Sequence, residues 1–138
     1  MIFEVLVEQD EHTLNALVSG VRSHNFANAG TETSKPLSVV CRDKGGSLIG
    51  GVAGRTIYKQ FLIDVLWVEE RARRTGLGRK LMEMAEIAAR ARGCLAAQVD
   101  TLSFQAPEFY QKLGFETVGK VSGVPDSPDR YFLLKRYG

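Results

Sequence analysis

Two glycines, Gly76 and Gly78, lie among five cations, Arg71, Arg73, Arg74, Arg79 and Lys80, in the stretch WVEERARRTGLGRKLM. The apolar run from Leu62 to Val68 precedes them, and an amphipathic run from Leu77 follows. That order reads as strand, turn and helix. The first N–H groups of a helix lack intrahelical acceptors, and the helix dipole favours an anion there. Cations at that end oppose the dipole unless an anion sits among them. Glycine permits positive φ and close approach to the backbone, and arginine supplies forked donors. The chemistry expected is capture of a phosphate-bearing ligand. The phosphate loop of nucleotide triphosphatases needs Gly-Lys-Ser/Thr, where this chain has Gly78-Arg79-Lys80. The dinucleotide fingerprint needs a third small residue, where this chain has Leu81. Neither pattern fits.

Other side chains are candidates for proton transfer. Asp64 is a carboxylate inside an apolar strand, which is uncommon unless it is paired or functional. Strand alternation puts it on the side of Leu66 and Val68, opposite Val65 and Trp67. It is either a base or the partner of Lys59 or an arginine. Asp100 is the alternative base on a neighbouring strand, or a helix cap. Tyr110 carries an ionisable hydroxyl, or is a half-buried packing ring. Cys41 and Cys94 have no spacing for a zinc site or a disulfide framework, and both read as structural thiols. His12 and His24 read as surface residues.

The elements that must position these groups follow from periodicity and breakers. Ile2 to Val7 alternates like a strand. Asp10 is placed to cap a helix over residues 11–24, with Leu14, Leu17, Val18 and Val21 on one face. The segment HNFANAGTETSKP reads as a polar loop or a frayed helix end, closed by Pro36. Strands are expected over 37–42, 47–56 and 60–68 as a meander. Residues 77–92 form the clearest helix, with Leu77, Leu81, Met84, Ala85 and Ala88 on one stripe and Gly93 as its stop. A strand over 95–100, a short helix over 105–112, and strands over 115–121 and 131–135 complete the chain. The long helix permits a parallel crossover from Val68 to Leu95. A single α/β domain over residues 1–138 is expected, with helices on a mixed sheet.

The arginine–glycine segment resembles the acyl-CoA-binding motif of the Gcn5-related N-acetyltransferase (GNAT) family, Arg/Gln-x-x-Gly-x-Gly/Ala, here Arg73-Arg74-Thr75-Gly76-Leu77-Gly78. AQVDTLSFQAPEFYQKLGFETVG is similar to the family's later strand, helix and Tyr-x-x-x-Gly-Phe signature, with Tyr110, Gly114 and Phe115. The matching region covers roughly residues 60–121. The resemblance implies a mostly antiparallel sheet of six to seven strands, splayed at its centre, with helices on both faces. It implies acetyl-CoA as co-substrate, with no metal. Backbone amides from Arg74 to Arg79 would hold the diphosphate, and the pantetheine arm would run beside Leu66, Trp67 and Val68. Arg73 leads the motif and either touches the ligand or braces the loop. Ala106 matches the family, while Ser103 stands where asparagine is common and offers a shorter polar contact. Tyr110 stands where the family places the acid that protonates the departing thiolate. Asp64 lies where several members carry a base.

Acyl transfer to an amine needs a neutral amine, a donor for the oxyanion and a proton for the thiolate. A free alkylammonium has a pKa near ~10.4, so a base or a desolvating pocket must take its proton. Direct attack in a ternary complex is expected, without an acyl-enzyme. The acceptor pocket implied by the family spans residues 11–36 and 120–131. Glu32, Asp126 and Asp129 are too sparse there to announce a polyamine, and Phe26, Phe104 and Tyr131 are either pocket or core. A small primary amine is the default acceptor, and a protein amine is second. A non-catalytic acyl-CoA-binding domain and an acetyltransferase of aminoacyl-tRNA remain as alternatives.

The composition agrees with a globular domain: 138 residues, 44% hydrophobic and 25% charged. A net charge of only +2 argues against nucleic acid as a partner. MIFEVLVEQDEH lacks the features of a signal peptide, and no apolar run approaches a membrane span. A cytoplasmic enzyme is expected. A homodimer is expected too, because exposed sheet edges need covering.

Overall fold

The structure, a computed structural model, describes residues 1–105 and 107–138. The chain divides into two units, Met1–Thr33 and Ser34–Gly138.

In the first unit, helix α1 runs from Glu11 to Ala29. Its cap is Asp10, which accepts from the Thr13 N–H at 3.1 Å and the Thr13 hydroxyl at 2.9 Å. The bonds from Thr13 favour the carboxylate and hold Asp10 below its ordinary range. The helix continues past His24 into the segment expected to be a loop or a frayed helix end, and stops at Ala29. Residues 24–29 hold no proline or glycine, Gly30 follows with φ +87°, and the Asn28 side-chain amide donates to the His24 carbonyl at 2.8 Å. Residues 1–9 carry no strand, contrary to the alternation of Ile2 to Val7. Alternation supplies propensity, whereas a strand also needs a ladder of backbone partners.

The second unit is a six-stranded sheet in the order β1-β2-β3-β4-β6-β5. The strands are β1 Lys35–Arg42, β2 Leu48–Ile57, β3 Gln60–Val68, β4 Ala96–Leu102, β5 Glu116–Val121 and β6 Arg130–Arg136. All neighbours are antiparallel except β3 and β4. Helix α2, Leu77–Ala91, makes the parallel crossover between them, and α3, Pro107–Lys112, follows β4. This is the mixed, mostly antiparallel sheet expected.

Helix α2 buries Leu81, Met82, Ala85 and Ala89. They join Val52, Phe61, Ile63, Ala97, Val99 and Leu133 in one core on one side of the sheet. Truncating Leu81, which is 2% exposed, to alanine would cost roughly 2–5 kcal/mol.

Two irregularities shape the middle of the sheet. Strands β3 and β4 pair only where Gln60, Phe61 and Leu62 meet Ala96, Ala97 and Gln98. Beyond that the strands part, and the β4-side backbone of β3 has no strand partner. The second irregularity is a bulge against β2. Val65 pairs with Ala53 and Ile63 with Gly54, so Asp64 is the extra residue. The bulge requires Gly54, because a Cβ there would sit 2.1 Å from the Leu62 carbonyl oxygen.

Candidate active site

The segment after β3 turns through a short 3-10 helix, Glu70–Ala72, before α2 begins. Arg74 has φ +63° and Gly76 φ +87°. Such left-handed residues within a turn draw backbone N–H groups into an anion-binding concavity. Gly76 is the N-cap of α2 and offers no side-chain cap, and no acidic residue lies in the first turn. The first intrahelical bond runs from the Lys80 N–H to the Gly76 carbonyl at 3.0 Å. The N–H groups of Leu77, Gly78 and Arg79 therefore have no intrahelical acceptor. A Cβ built on Gly76 meets nothing within 4 Å, so the approach to these amides is open.

The cations divide into two sets. Arg71 pairs with Glu69 at 3.0 Å, and Arg73 donates through Nε to the Val68 carbonyl at 3.0 Å. Arg73 therefore braces the loop against β3. Arg74, Arg79 and Lys80 form no ion pair among the described residues. Three unpaired cations at an uncapped helix N-terminus form an arrangement that an anion would complete.

Side chains close this corner from two directions. Leu77 and Leu81 lie against Gly50, where a Cβ would stand 3.1 Å and 3.3 Å from their methyl groups. The Phe109 ring lies against Gly78, where a Cβ would be 3.1 Å from Cζ and 3.3 Å from Cε1. The same point is 3.8 Å from Val68 Cγ2. The end of β3, the start of α2 and helix α3 thus meet at Gly78.

Tyr110, the next residue of α3, is 7% exposed. Its ring is edge-on to Phe109 at 5.3 Å and to Phe115 at 5.8 Å. Burial raises its phenol above the ordinary value, and the charge of Asp100 adds to the shift. Tyr110 is a proton-bearing phenol over the whole neutral range. Ser103 lies in the turn after β4, tied by its N–H to the Asp129 carbonyl at 2.9 Å. Ala106 lies outside the described residues.

Asp64 is not where alternation puts it. The bulge absorbs one residue, so Leu66 and Val68 pack toward the core while Asp64 and Val65 are both exposed. Asp64 lines a cleft of about 590 Å³ together with Leu62, Gln98, Asp100 and Phe132. Its nearest cation is Arg55, at 3.8 Å, so the pairing alternative is realised with an arginine rather than with Lys59. Asp100 pairs with Arg130 rather than capping a helix. Gln98 and Asp100 are the exposed residues of β4, between buried Ala97, Val99 and Thr101. The two carboxylates therefore share one cleft, on the side of the sheet away from the core. Cys94 is buried and Cys41 half-buried. No described helix is long and apolar enough to cross a membrane.

Sequence reasoning missed Gly50 and Phe109. A glycine inside a strand is a signal of close approach, and Gly50 carried it. Phe109 had no such signal.

A mixed sheet opened between two parallel strands, with a basic helix start at the opening, is the type of fold seen in GNAT acetyltransferase structures. The chain belongs to the acetyltransferase (GNAT) family, whose model matches residues 5–115. It is 36% identical over 107 residues to blasticidin-S acetyltransferase from Streptomyces morookaense, a match covering 74% of this chain and 78% of that one. A crystal structure from Agrobacterium tumefaciens, described as an acetyltransferase, superimposes with a TM-score of 0.92 at 29% identity, covering 99% of this chain and 100% of that one. A Bacillus anthracis structure described as a streptothricin acetyltransferase in complex with acetyl coenzyme A has a TM-score of 0.65 at 17% identity. That match covers 75% of this chain and 63% of the other, and it is a likeness of fold.

Proposed function

We infer that this protein is an acetyl-CoA-dependent N-acetyltransferase of a small-molecule primary amine, working by direct attack in a ternary complex. The observation that carries the reading is the uncapped start of α2, with Arg74, Arg79 and Lys80 unpaired beside it. It lies at the end of the strand whose edge toward β4 is open. When bound, acetyl-CoA supplies the acetyl group as a thioester. The residues present suit it: amides of Leu77, Gly78 and Arg79, with the backbone of Arg74 and Thr75, hold the diphosphate. The edge of β3 at Leu66, Trp67 and Val68, which has no strand partner on the β4 side, receives the pantetheine amides as a further strand would. Ser103 borders the arm.

Tyr110 holds a proton for the departing sulfur, a task its raised pKa suits because the phenol stays protonated at neutral pH. Asp64 receives the ammonium proton, and Asp100 lies in the same cleft. A small acceptor is supported by the relative that acetylates blasticidin S. Residues 1–138 work as one domain, in the cytoplasm. A homodimer would cover one of the sheet edges, β1 or β5.

The test is a free-thiol assay with acetyl-CoA and a panel of amines that includes blasticidin S. Thiol release that depends on the amine and falls about 10²-fold in Tyr110→Phe is expected. Coenzyme A binding with no turnover across the panel would make the protein a binding domain instead. Light scattering at twice the 15.2 kDa chain mass is expected for the dimer.

A further inference from the structure

Helix α3 has six residues, Pro107–Lys112. A helix so short has little stability of its own, because nucleation costs more than its few hydrogen bonds return. Side-chain packing must therefore fix its place. Phe109 and Tyr110 are adjacent on it and their rings meet edge to face, at 80° between planes. On its other side the Phe109 ring tip rests on the bare Cα of Gly78, in the first turn of α2. Tyr110 is held in turn by Phe115, just after α3. The result is a row of contacts running Gly78, Phe109, Tyr110, Phe115.

The two glycines of the loop therefore have different reasons. Gly76 needs its left-handed φ, with open space beyond its Cα. Gly78 is helical, and what a side chain there would meet is the Phe109 ring.

We propose that Phe109 is a positioning residue that sets the Tyr110 hydroxyl relative to the α2 loop, using Gly78 as its seat. The proposal rests on the reading of Tyr110 and the loop given above. A ring is rigid and large, and an aromatic edge-to-face contact is directional. A displacement of the ring tip by a few tenths of an ångström therefore passes to Tyr110. Misplacing a proton donor by about 1 Å can cost as much as 10²-fold in rate.

The geometry makes the two positions exchangeable. Gly78→Ala puts a methyl group 3.1–3.3 Å from Cζ and Cε1, closer than ordinary contact. Phe109→Leu deletes those two atoms. Each single variant should lose roughly 10-fold or more in kcat. The double variant should recover most of that loss, since the new methyl fills the space the ring tip leaves, and coupling of this kind is what a double-mutant cycle reads. In a Tyr110→Phe background, Phe109→Leu should reduce kcat by less than about twofold, because the group it positions is already gone. KM for acetyl-CoA should change less than kcat in Phe109→Leu.

The experiment measures kcat and KM for the four members of the cycle and for the Tyr110→Phe pair, with circular dichroism to check folding. Calorimetry of the wild-type protein with coenzyme A comes first. No binding there would overturn the functional reading itself. If binding is normal but the Gly78 and Phe109 losses multiply, or Phe109→Leu keeps its full effect without the Tyr110 hydroxyl, Phe109 is packing only. Should Phe109→Leu not fold, Phe109→Met, which also lacks the ring tip, takes its place in the same cycle.

Discussion

The Nε of Arg73 donates to the carbonyl of Val68 at 3.0 Å, tying the loop that precedes α2 to the last residue of β3. The bond spans five residues and closes the turn from within. The motif leaves open whether the leading arginine touches the ligand or shapes its site, and the bond to Val68 braces the loop.

Arg73→Ala should therefore weaken coenzyme A binding without removing a ligand contact. A charge-assisted bond at a solvated position is worth about 1 kcal/mol, or roughly fivefold in Kd. Isothermal titration measures it. Loss of more than about 100-fold would mean that Arg73 contacts the ligand directly.

Gly76 should tolerate asparagine better than valine. Its φ of +87° lies in the left-handed region, and nothing within 4 Å would touch a new Cβ, so the cost is backbone strain alone. That strain is about 1–2 kcal/mol for most residues and less for asparagine. Thermal unfolding should rank wild type, Gly76→Asn and Gly76→Val in that order. Equal melting of the two variants would contradict it.

Asp64→Asn should slow amine acetylation by about 10²-fold and leave coenzyme A affinity unchanged, because the carboxylate lines the cleft on the far side of the sheet from α2. Its stability effect should be below ~1 kcal/mol, since the contact with Arg55 is long and exposed. If Asp100→Asn slows turnover and Asp64→Asn does not, the base is on β4.

Tyr137 should make the fold alkali-sensitive. Burial raises its pKa above the ordinary value, Glu86 and Cys94 add to the rise, and Arg90 opposes it. A pKa higher in the folded chain than in the unfolded one means that the folded state holds the proton longer. Stability from this group is complete below about pH 10 and falls as pH rises toward the folded-state pKa. Urea midpoints between pH 8 and 11 should decline, and Tyr137→Phe should flatten the decline. Tyr110 shifts in the same direction through burial and Asp100, so a residual slope should remain in that variant.

What this sequence determined by itself is everything carried by neighbours along the chain. Arg73 to Gly78 could be read as an anion-binding turn because the strand, the turn glycines and the helix stripe all lie within one short window. Asp10 could be read as a cap because capping bonds reach only three residues. The meander and the crossover followed from the same local periodicities. Tertiary structure decided whatever depends on a partner chosen elsewhere. Ile2 to Val7 has a strand's alternation but no strand, since a ladder needs a second backbone. Asp64 changed sides because the bulge arises from its register against β2, where only Gly54 lets the Leu62 carbonyl approach. The meeting of Phe109 with Gly78 was invisible because the two residues lie on different helices with β4 between them. Periodicity tells which face of an element is apolar, but contacts between elements are set by how the whole core packs.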